Sequence, residues 1–221
     1  MERALIIGAS GGIGQAVAAA LVQRGVEVVG LSRSEDGLDV TDEASIASAL
    51  GGLSGPFDLT LVATGALSSG APGREKTLRA LDPAELASQF ALNAAGPALV
   101  LKHALKLVPK DRRAVFAALS ARVGSIGDNA LGGWYSYRAS KAALNQLIHT
   151  ASIELARTHP KAIVVTLHPG TVQTQLTSEF LDRHPAVTPE EAARNLLSVM
   201  DGLAPRDTGG FFDWSGQRVV W

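Results

Sequence analysis

The stretch Ala4-Leu5-Ile6-Ile7-Gly8-Ala9-Ser10-Gly11-Gly12-Ile13-Gly14 decides the fold of this chain of 221 residues. Its first four residues are apolar and end at a glycine, which is typical of a short strand buried on both faces. Strong helix formers follow over Gln15–Arg24, Gly25 suits the position just after a helix end, and Val26–Leu31 predicts a second strand. A strand, a glycine turn, a helix and another strand within about thirty residues have the size of a βαβ unit.

The same alternation continues along the chain and predicts an α/β fold, with a parallel sheet covered by helices on both faces. We expect one domain, residues 1–221, whose doubly wound, mostly parallel sheet has about seven strands. Thr64–Arg79 is expected to be a long loop within it, and Gly96-Pro97 to separate two helices. Predicted helices cover residues 41–50, 82–93, 97–108 and 137–158 and begin again at Thr188, and predicted strands cover 59–63, 114–118, 163–167 and 211–212.

Composition excludes several classes of protein. Hydrophobic residues make up 46% of the chain and charged residues 19%, which argues against disorder. The 20 Lys and Arg nearly balance the 21 Asp and Glu, so a basic nucleic-acid binder is not expected. We find no apolar stretch long enough to span a membrane and no secretory signal, and we expect a cytoplasmic protein.

Metal and thiol chemistry are not expected. The chain has no cysteine, which excludes disulfides, cysteine-ligated zinc, iron–sulfur clusters and thiol catalysis. His149, His159 and His168 lack the spacing of a metal cage, and we expect them to be hydrogen-bonded or solvated.

The glycine turn predicts a nucleotide diphosphate site. Gly8, Gly12 and Gly14 lie between the first strand and the first helix, where close approach to backbone N–H groups needs residues without side chains. Ser10 and Ile13 would then lie beside the cofactor. Because the spacing is G-x-x-x-G-x-G, a tight turn without a ligand is the alternative for this motif taken alone.

The end of the second strand favours NADP over NAD. An acidic residue there would bind the 2′-hydroxyl of a ribose and repel a 2′-phosphate, whereas this chain has Ser32-Arg33-Ser34. Arg33 can pair with a phosphate, and the serines can donate hydrogen bonds. Alternatively Arg33 is a solvated loop residue whose charge Glu35 and Asp36 offset, and NAD is the alternative cofactor.

Tyr137 and Lys141 share one face of a predicted helix at positions i and i+4. A lysine ammonium near a phenol lowers the pKa of a tyrosine and makes it a proton donor and acceptor near neutral pH. Taken alone, such a pair is equally typical of the exposed face of an amphipathic helix, which is the alternative.

Together these motifs resemble the short-chain dehydrogenase/reductase family, whose motifs occur here in the family's order and span most of the chain. The run from Gly124-Ser125-Ile126 to Tyr137 resembles the C-factor-like or carbonyl-reductase-like branch. The resemblance implies a single-domain Rossmann fold. It rests on Gly8–Gly14, Asn93, Tyr137-Arg138-Ala139-Ser140-Lys141 and Pro169-Gly170-Thr171.

The resemblance also implies roles for individual residues. Tyr137 would be the general acid that protonates the reduced carbonyl, Lys141 would hold the nicotinamide ribose, and Asn93 would bind a water in the proton relay. Further cofactor contacts would come from Asp39, Val40, Ala63, Thr64, Gly65, Asn93, Tyr137, Lys141, Pro169, Gly170, Thr171, Val172 and Thr174.

The chain departs from the family pattern at the catalytic serine. Counting back three residues from Gly124 gives Ala121, with Ser120 adjacent and Ser125 close by. Ser120 is preferred, but on an extended strand it points away from the side that Ala121 faces. Either the backbone bends there, or another group contacts the substrate, or activity is weak.

The family's Asn-Ala-Gly after the fourth strand is here Ala63-Thr64-Gly65, so the asparagine amide is lost and Thr64 stands in its segment. Two further departures concern the amount of chain. Few residues separate Arg33 from Asp39. The helix after the second strand is therefore expected to be missing. The segment after Thr174 is short, so a small substrate lid is expected.

These features predict an NADP-dependent oxidoreductase that transfers a hydride between nicotinamide and a small carbonyl or alcohol substrate. The alternative is an NADP-binding sensor or signalling protein with little or no catalysis. The helix that contains Tyr137 has more apolar positions than it needs to cover the sheet with one face. Its outer face could pack against a second copy, so a homodimer or homotetramer is expected.

Overall fold

A computed structural model describes residues 1–68, 75–180 and 186–221, without the side chains of 179 and 180. The strands form one parallel sheet in the order β2-β1-β3-β4-β5-β6. The six strands are β1 (Arg3–Ile7), β2 (Glu27–Leu31), β3 (Leu59–Val62), β4 (Ala114–Leu119), β5 (Ala162–His168) and β6 (Phe211–Asp213).

The sheet has six strands, so the expectation of about seven was high by one. After β6 the chain turns back, and Phe212 and Arg218 form a single antiparallel bridge. No seventh strand is present in the part of the chain that the structure describes. β1, β3, β4 and β5 are almost wholly buried, as a sheet covered on both faces requires.

Seven α-helices lie within the described residues and cover both faces of the sheet. Val17 and Leu196 belong to the core on one face, and Ile46 and Leu144 belong to the core on the other. The first face is covered by α1 and α7, and the second by α3, α5 and α6. The helices are α1 (Gly12–Gln23), α2 (Arg33–Asp36), α3 (Glu43–Gly51), α4 (Pro83–Phe90), α5 (Gly96–Ala104), α6 (Tyr135–Leu155) and α7 (Pro189–Gly202).

Side-chain caps begin α3, α4 and α7, within two residues of the predicted helix starts at 41, 82 and 188. The carboxylate of Asp42 accepts from the N–H of Ala44, Asp82 caps α4, and the hydroxyl of Thr188 caps α7. Such caps satisfy N–H groups that have no partner within the helix.

The chain stays helical through Gly96-Pro97, so the expected break between two helices was wrong. A π-helical turn, Ala91–Ala95, joins α4 to α5, and the N–H of Gly96 donates to the carbonyl of Ala91. Proline has no N–H for an α-helical bond to the residue four before it, which for Pro97 is Asn93. The wider turn accommodates this loss and places Asn93 at its centre.

The segment after β2 forms the four-residue helix α2, so the expectation that a helix is missing there was wrong. Ser32 caps its N-terminus and Gly37 ends it at a φ of 70°. After Thr174 the chain forms a short 3₁₀ helix, Gln175–Phe180. Part of the predicted loop Thr64–Arg79, residues 69–74, lies outside the described residues.

Candidate active site

A cleft of about 700 Å³ lies at the carboxyl ends of β1, β2 and β3, where open parallel sheets bind their ligands. It opens beside the glycine turn and continues to the segment after α2. The sequence-predicted residues that line it are Gly8, Ser10, Ser32, Arg33, Asp39, Val40, Ala63, Thr64 and Gly65.

The glycine turn fits a nucleotide diphosphate. Gly8 has a φ of 87°, and a Cβ there would lie 3.0 Å from the backbone of Ala63. A Cβ on Gly14 would overlap the carbonyl oxygen of Gly8, so the turn tolerates no side chain at that position. The N-cap of α1 is Gly11, which supplies no side-chain bond, and no acidic residue occupies the first turn. The N–H groups of α1 and its dipole therefore suit an anion.

Hydrogen bonds of polar side chains stabilise the end of the cleft that follows β2. The hydroxyl of Ser34 donates to the hydroxyl of Ser10 over 3.1 Å. The carboxylate of Asp36 folds back and accepts from the N–H of Ser32 at 2.7 Å. Arg33 is exposed and lines the cleft, so this part of the wall carries a positive charge.

A second cavity of about 140 Å³ lies between the ends of β4 and β5 and the start of α6. It shares Ala63, Thr64 and Gly65 with the cleft, so the two spaces adjoin. Leu176 and Thr177, from the short segment after Thr174, also line it. The sequence-predicted residues in its wall are Ile13, Ala63, Thr64, Gly65, Ser120, Tyr137, Lys141, Pro169, Gly170, Val172 and Thr174.

Tyr137 and Lys141 meet in this cavity. Tyr137 is 8% exposed and Lys141 is 3% exposed, so neither belongs to a solvated helix surface. The Nζ of Lys141 donates to the carbonyl of Leu119 at 2.9 Å and lies 5.9 Å from the ring centroid of Tyr137. Burial lowers the pKa of Lys141 to about 7, so this group changes charge near neutral pH.

The N-terminus of α6 is fixed by a buried carboxylate that sequence reasoning missed. Glu75 accepts a hydrogen bond from the hydroxyl of Ser136, and its backbone carbonyl accepts from the N–H of Trp134 at 2.6 Å. A negative group at this end of a helix is stabilised by the helix dipole. The side chain of Arg138 donates to the carbonyl of Gly133 at 2.9 Å. These contacts hold the first turn of α6 and with it Tyr137.

Asn93 is fully buried and holds the loop after β3. Its Nδ2 donates to the carbonyl of Ala66 at 2.9 Å, and its Oδ1 accepts from the N–H of the same residue at 3.1 Å. The Nδ2 also lies 3.3 Å from the hydroxyl of Ser140 on α6. A Cβ on Gly65 would lie 3.0 Å from the Oδ1 of Asn93 and 3.4 Å from the Nζ of Lys141, so a glycine is needed between them.

Comparison with known proteins agrees with this geometry. The family model described as enoyl-(acyl carrier protein) reductase matches residues 8–201. A 1-hydroxy-2-glutathionyl-2-methyl-3-butene dehydrogenase from Rhodococcus sp. (strain AD45) is 30% identical over the full length of both chains. The chain belongs to the short-chain dehydrogenase/reductase family. It is an oxidoreductase by this membership.

This short-chain dehydrogenase/reductase is also similar to proteins of other kinds. The C-signal protein of Myxococcus xanthus is 34% identical over 76% of this chain and 94% of its own length. A short-chain dehydrogenase/reductase from Burkholderia multivorans with bound NADP has a TM-score of 0.85 and 26% identity, covering 100% of this chain and 99% of its own. The NADPH-bound carbonyl reductase from chicken fatty liver has a TM-score of 0.84 and 24% identity over 100% and 94%, which shows the shared fold.

The structure answers the question of orientation at the family's serine position. Ser120 and Ala121 both line the cavity, although Ala121 is in extended conformation. The hydroxyl of Ser120 is buried without a hydrogen-bond partner. Ser125 does not line the cavity, and its hydroxyl accepts from the N–H of Asp128 at 3.1 Å.

Not every sequence-predicted residue of this short-chain dehydrogenase/reductase reaches a cavity wall. The backbone of Gly12 lies against Thr174, because a Cβ there would come within 2.9 Å of that side chain. Asn93 lines neither space, but it makes two hydrogen bonds to Ala66, which lines the cleft. Four of the predicted residues line neither space: Gly12, Gly14, Asn93 and Thr171.

His168 is a cavity residue that the sequence analysis set aside. It lines the space with Tyr137 and Lys141, and its Nδ1 is buried without a hydrogen-bond partner. The side chain is partly exposed, so the expectation that it is hydrogen-bonded or solvated fails for the Nδ1 alone. Its position at the carboxyl end of β5, directly before Pro169-Gly170, was the signal available in the sequence.

Metal-ligand clusters and membrane spans are both absent from residues 1–68, 75–180 and 186–221. No group of three His, Asp or Glu side chains there could hold a metal ion. None of the helices there is long and apolar enough to cross a membrane.

Proposed function

We propose that this short-chain dehydrogenase/reductase uses NADPH to reduce a small carbonyl compound, or NADP to oxidise the corresponding alcohol. The observation that carries the proposal is the shared wall between the two spaces. Ala63, Thr64 and Gly65 border both the cleft beside the glycine turn and the cavity of Tyr137 and Lys141. One domain, residues 1–221, then provides both the cofactor site and the proton donor.

In such a reaction the residues of the site have separate roles. The nicotinamide supplies the hydride when the cofactor is bound. The hydroxyl of Tyr137 donates its proton to the substrate oxygen, and Lys141 stabilises the phenolate that remains. Asn93 keeps the loop after β3 in place through its two bonds to Ala66. Because Tyr137 and Lys141 are buried, water is largely excluded and these electrostatic contacts are strong.

The choice of NADP rests on Arg33 and on the relatives. Arg33 lines the cleft after β2, and no acidic residue ends that strand. The Burkholderia multivorans relative is described with bound NADP. NAD is the alternative, and it would favour an acidic group at the position of Ser32.

Arg33→Ala is expected to raise the dissociation constant for NADPH by about tenfold and to leave that for NADH nearly unchanged. One charge-assisted hydrogen bond to a phosphate, weakened by the exposure of Arg33, accounts for a change of that size. Quenching of protein fluorescence during titration with each cofactor measures both constants.

The matched control for Arg33 is Arg24→Ala. Arg24 follows the end of α1 and pairs with Asp201 at 2.9 Å. It should change neither constant. Equal losses of NADPH and NADH affinity in Arg33→Ala would contradict the assigned role of the guanidinium.

Consumption of NADPH in the presence of aldehydes, ketones and quinones tests the enzymatic proposal against the alternative, a cofactor-binding sensor. One relative is called C-signal, and this name is the reason to test a signalling role as the alternative. Turnover of at least one carbonyl class supports the enzyme. Tight NADPH binding with no turnover across the whole panel would favour the sensor.

We also propose that the chain forms a homodimer or homotetramer. Leu147 and Ile153 of α6 are 40% and 54% exposed, and Phe90 of α4 is 42% exposed. Apolar side chains on the outer faces of packed helices suit a self-complementary interface. Sedimentation velocity at micromolar concentration should show a species larger than a monomer, and a monomer at that concentration would contradict the proposal.

A further inference from the structure

Ser120 and His168 lie side by side at the carboxyl ends of β4 and β5. Leu119 pairs with Leu167 in the parallel register, and the N–H of Ser120 continues this ladder by donating to the carbonyl of Leu167 at 2.7 Å. Ser120 and His168 therefore occupy the next matched positions. Side chains alternate along a strand, so both project to the same face as Ala118. That face is the one covered by α5 and α6.

Each of these neighbours carries a polar atom that has no hydrogen-bond partner. The Oγ of Ser120 and the Nδ1 of His168 are buried and have no hydrogen-bond partner. Both residues line the cavity together with Tyr137 and Lys141. A buried polar atom without a partner is costly and uncommon, which points to a ligand that supplies the missing bond.

The surroundings of His168 keep its imidazole neutral. Burial and the nearby Arg122 lower the pKa of His168 to about 4, and Asp213 opposes them only in part. Asp213 is paired with His168 in the sheet, but its carboxylate accepts from the hydroxyl of Ser215 at 2.7 Å and from the N–H of Gln217 at 3.1 Å. A neutral imidazole carries one N–H and can donate it without placing a formal charge in the cavity.

We propose that His168 and Ser120 together bind the substrate oxygen and replace the hydroxyl that Ala121 lacks. The inference rests on the proposed carbonyl reduction and adds a catalytic contact to it. The Nδ1–H of His168 and the hydroxyl of Ser120 donate to this oxygen as negative charge builds on it. The proton that the oxygen finally takes comes from Tyr137, and His168 keeps its own.

Three substitutions at His168 separate this role from a structural one. His168→Leu removes the donor and keeps an apolar side chain of substantial size. His168→Asn places an amide near the position of Nδ1, whereas His168→Gln extends its amide past that position. Reduction of 4-nitrobenzaldehyde and 2,3-butanedione by NADPH gives kcat and KM, and NADPH titration gives the dissociation constant of the cofactor.

We expect His168→Leu to lower kcat/KM by about ten- to a hundredfold, because one of two donors to the oxygen is lost. His168→Asn should recover most of this loss and His168→Gln should not. The NADPH dissociation constant should stay within about threefold of wild type in all three. The control is Thr166→Val, because Thr166 also has an unsatisfied buried hydroxyl on β5 but does not line the cavity, and its kinetics should equal those of wild type.

Three outcomes would overturn the inference. If His168→Leu keeps wild-type kcat/KM while Tyr137→Phe is inactive, His168 has no part in the reaction and the proposed function stands. If loss of NADPH affinity accounts for the whole effect, His168 holds the cofactor instead. If wild type reduces neither probe and no member of the carbonyl panel, the proposed function and this inference both fail.

Discussion

Tyr137→Phe is expected to lower kcat by at least about a thousandfold while NADPH still binds. The substitution removes only the hydroxyl that donates the proton. The ring that remains keeps the edge-to-face contact with Trp134, whose centroid is 6.2 Å away. The NADPH dissociation constant should change by less than about fivefold, since the loss of one hydrogen bond allows no more. Steady-state NADPH oxidation and fluorescence titration measure the two quantities.

Tyr135→Phe is the matched control for this prediction. Tyr135 lies two positions earlier in α6, is 37% exposed and does not line the cavity. Its loss of a hydroxyl should leave kcat unchanged. Turnover by Tyr137→Phe within tenfold of wild type would remove Tyr137 from the reaction.

Lys141→Met is expected to change how stability depends on pH. Burial lowers the pKa of Lys141 from 10.5 to about 7, so between these values the unfolded chain binds more protons than the folded chain. The free energy of unfolding therefore contains a contribution from Lys141 that rises with pH through this window. Between pH 7 and pH 10 the wild type should gain about 3 kcal/mol relative to Lys141→Met, at 1.36 kcal/mol for each unit of pH over most of the range.

Urea unfolding at several pH values measures this difference. Lys106→Met serves as the control because Lys106 is exposed, and its stability should follow that of wild type across the range. Parallel pH profiles for wild type and Lys141→Met would show that Lys141 is solvated in the folded protein. Lys141→Met should also lose activity, since the phenolate of Tyr137 then loses the ammonium of Lys141.

The architecture followed from local signals in the sequence. The apolar run before Gly8, the helix formers after Gly14 and the capping residues Asp82 and Thr188 each act within a few residues. Such signals predict where strands and helices begin, and the alternation predicts a parallel sheet. The expected count of about seven strands was high by one, because the sequence marks only six stretches as strands and each of these six forms a strand of the sheet.

The errors arose where tertiary packing outweighs local preference. Gly96-Pro97 predicts a break, but a π-helical turn accommodates the proline and the helix continues. Whether Ser120 reaches the substrate depends on how the chain leaves β4 for the short 3₁₀ helix Arg122–Gly124. Glu75 caps α6 from 61 positions away in the sequence, which no spacing rule detects.

His168 shows how the candidate site extends beyond its motif. Sequence reasoning treated it as one of several histidines without metal spacing. The parallel register of β4 and β5 places it beside Ser120, and burial leaves its Nδ1 without a partner. A histidine at the carboxyl end of a central strand is therefore better judged by its neighbours in the sheet than by its neighbours in the chain.

The most direct test of hydride transfer in the cavity that contains Tyr137 uses NADPH that carries deuterium on one face of C4 of the nicotinamide. With a carbonyl compound that the wild type reduces, mass spectrometry of the alcohol should show one deuterium at the former carbonyl carbon for one of the two labelled faces and none for the other. Tyr137→Phe should form no labelled alcohol. NADPH consumed without alcohol, or alcohol without deuterium from either face, would contradict hydride transfer in this cavity.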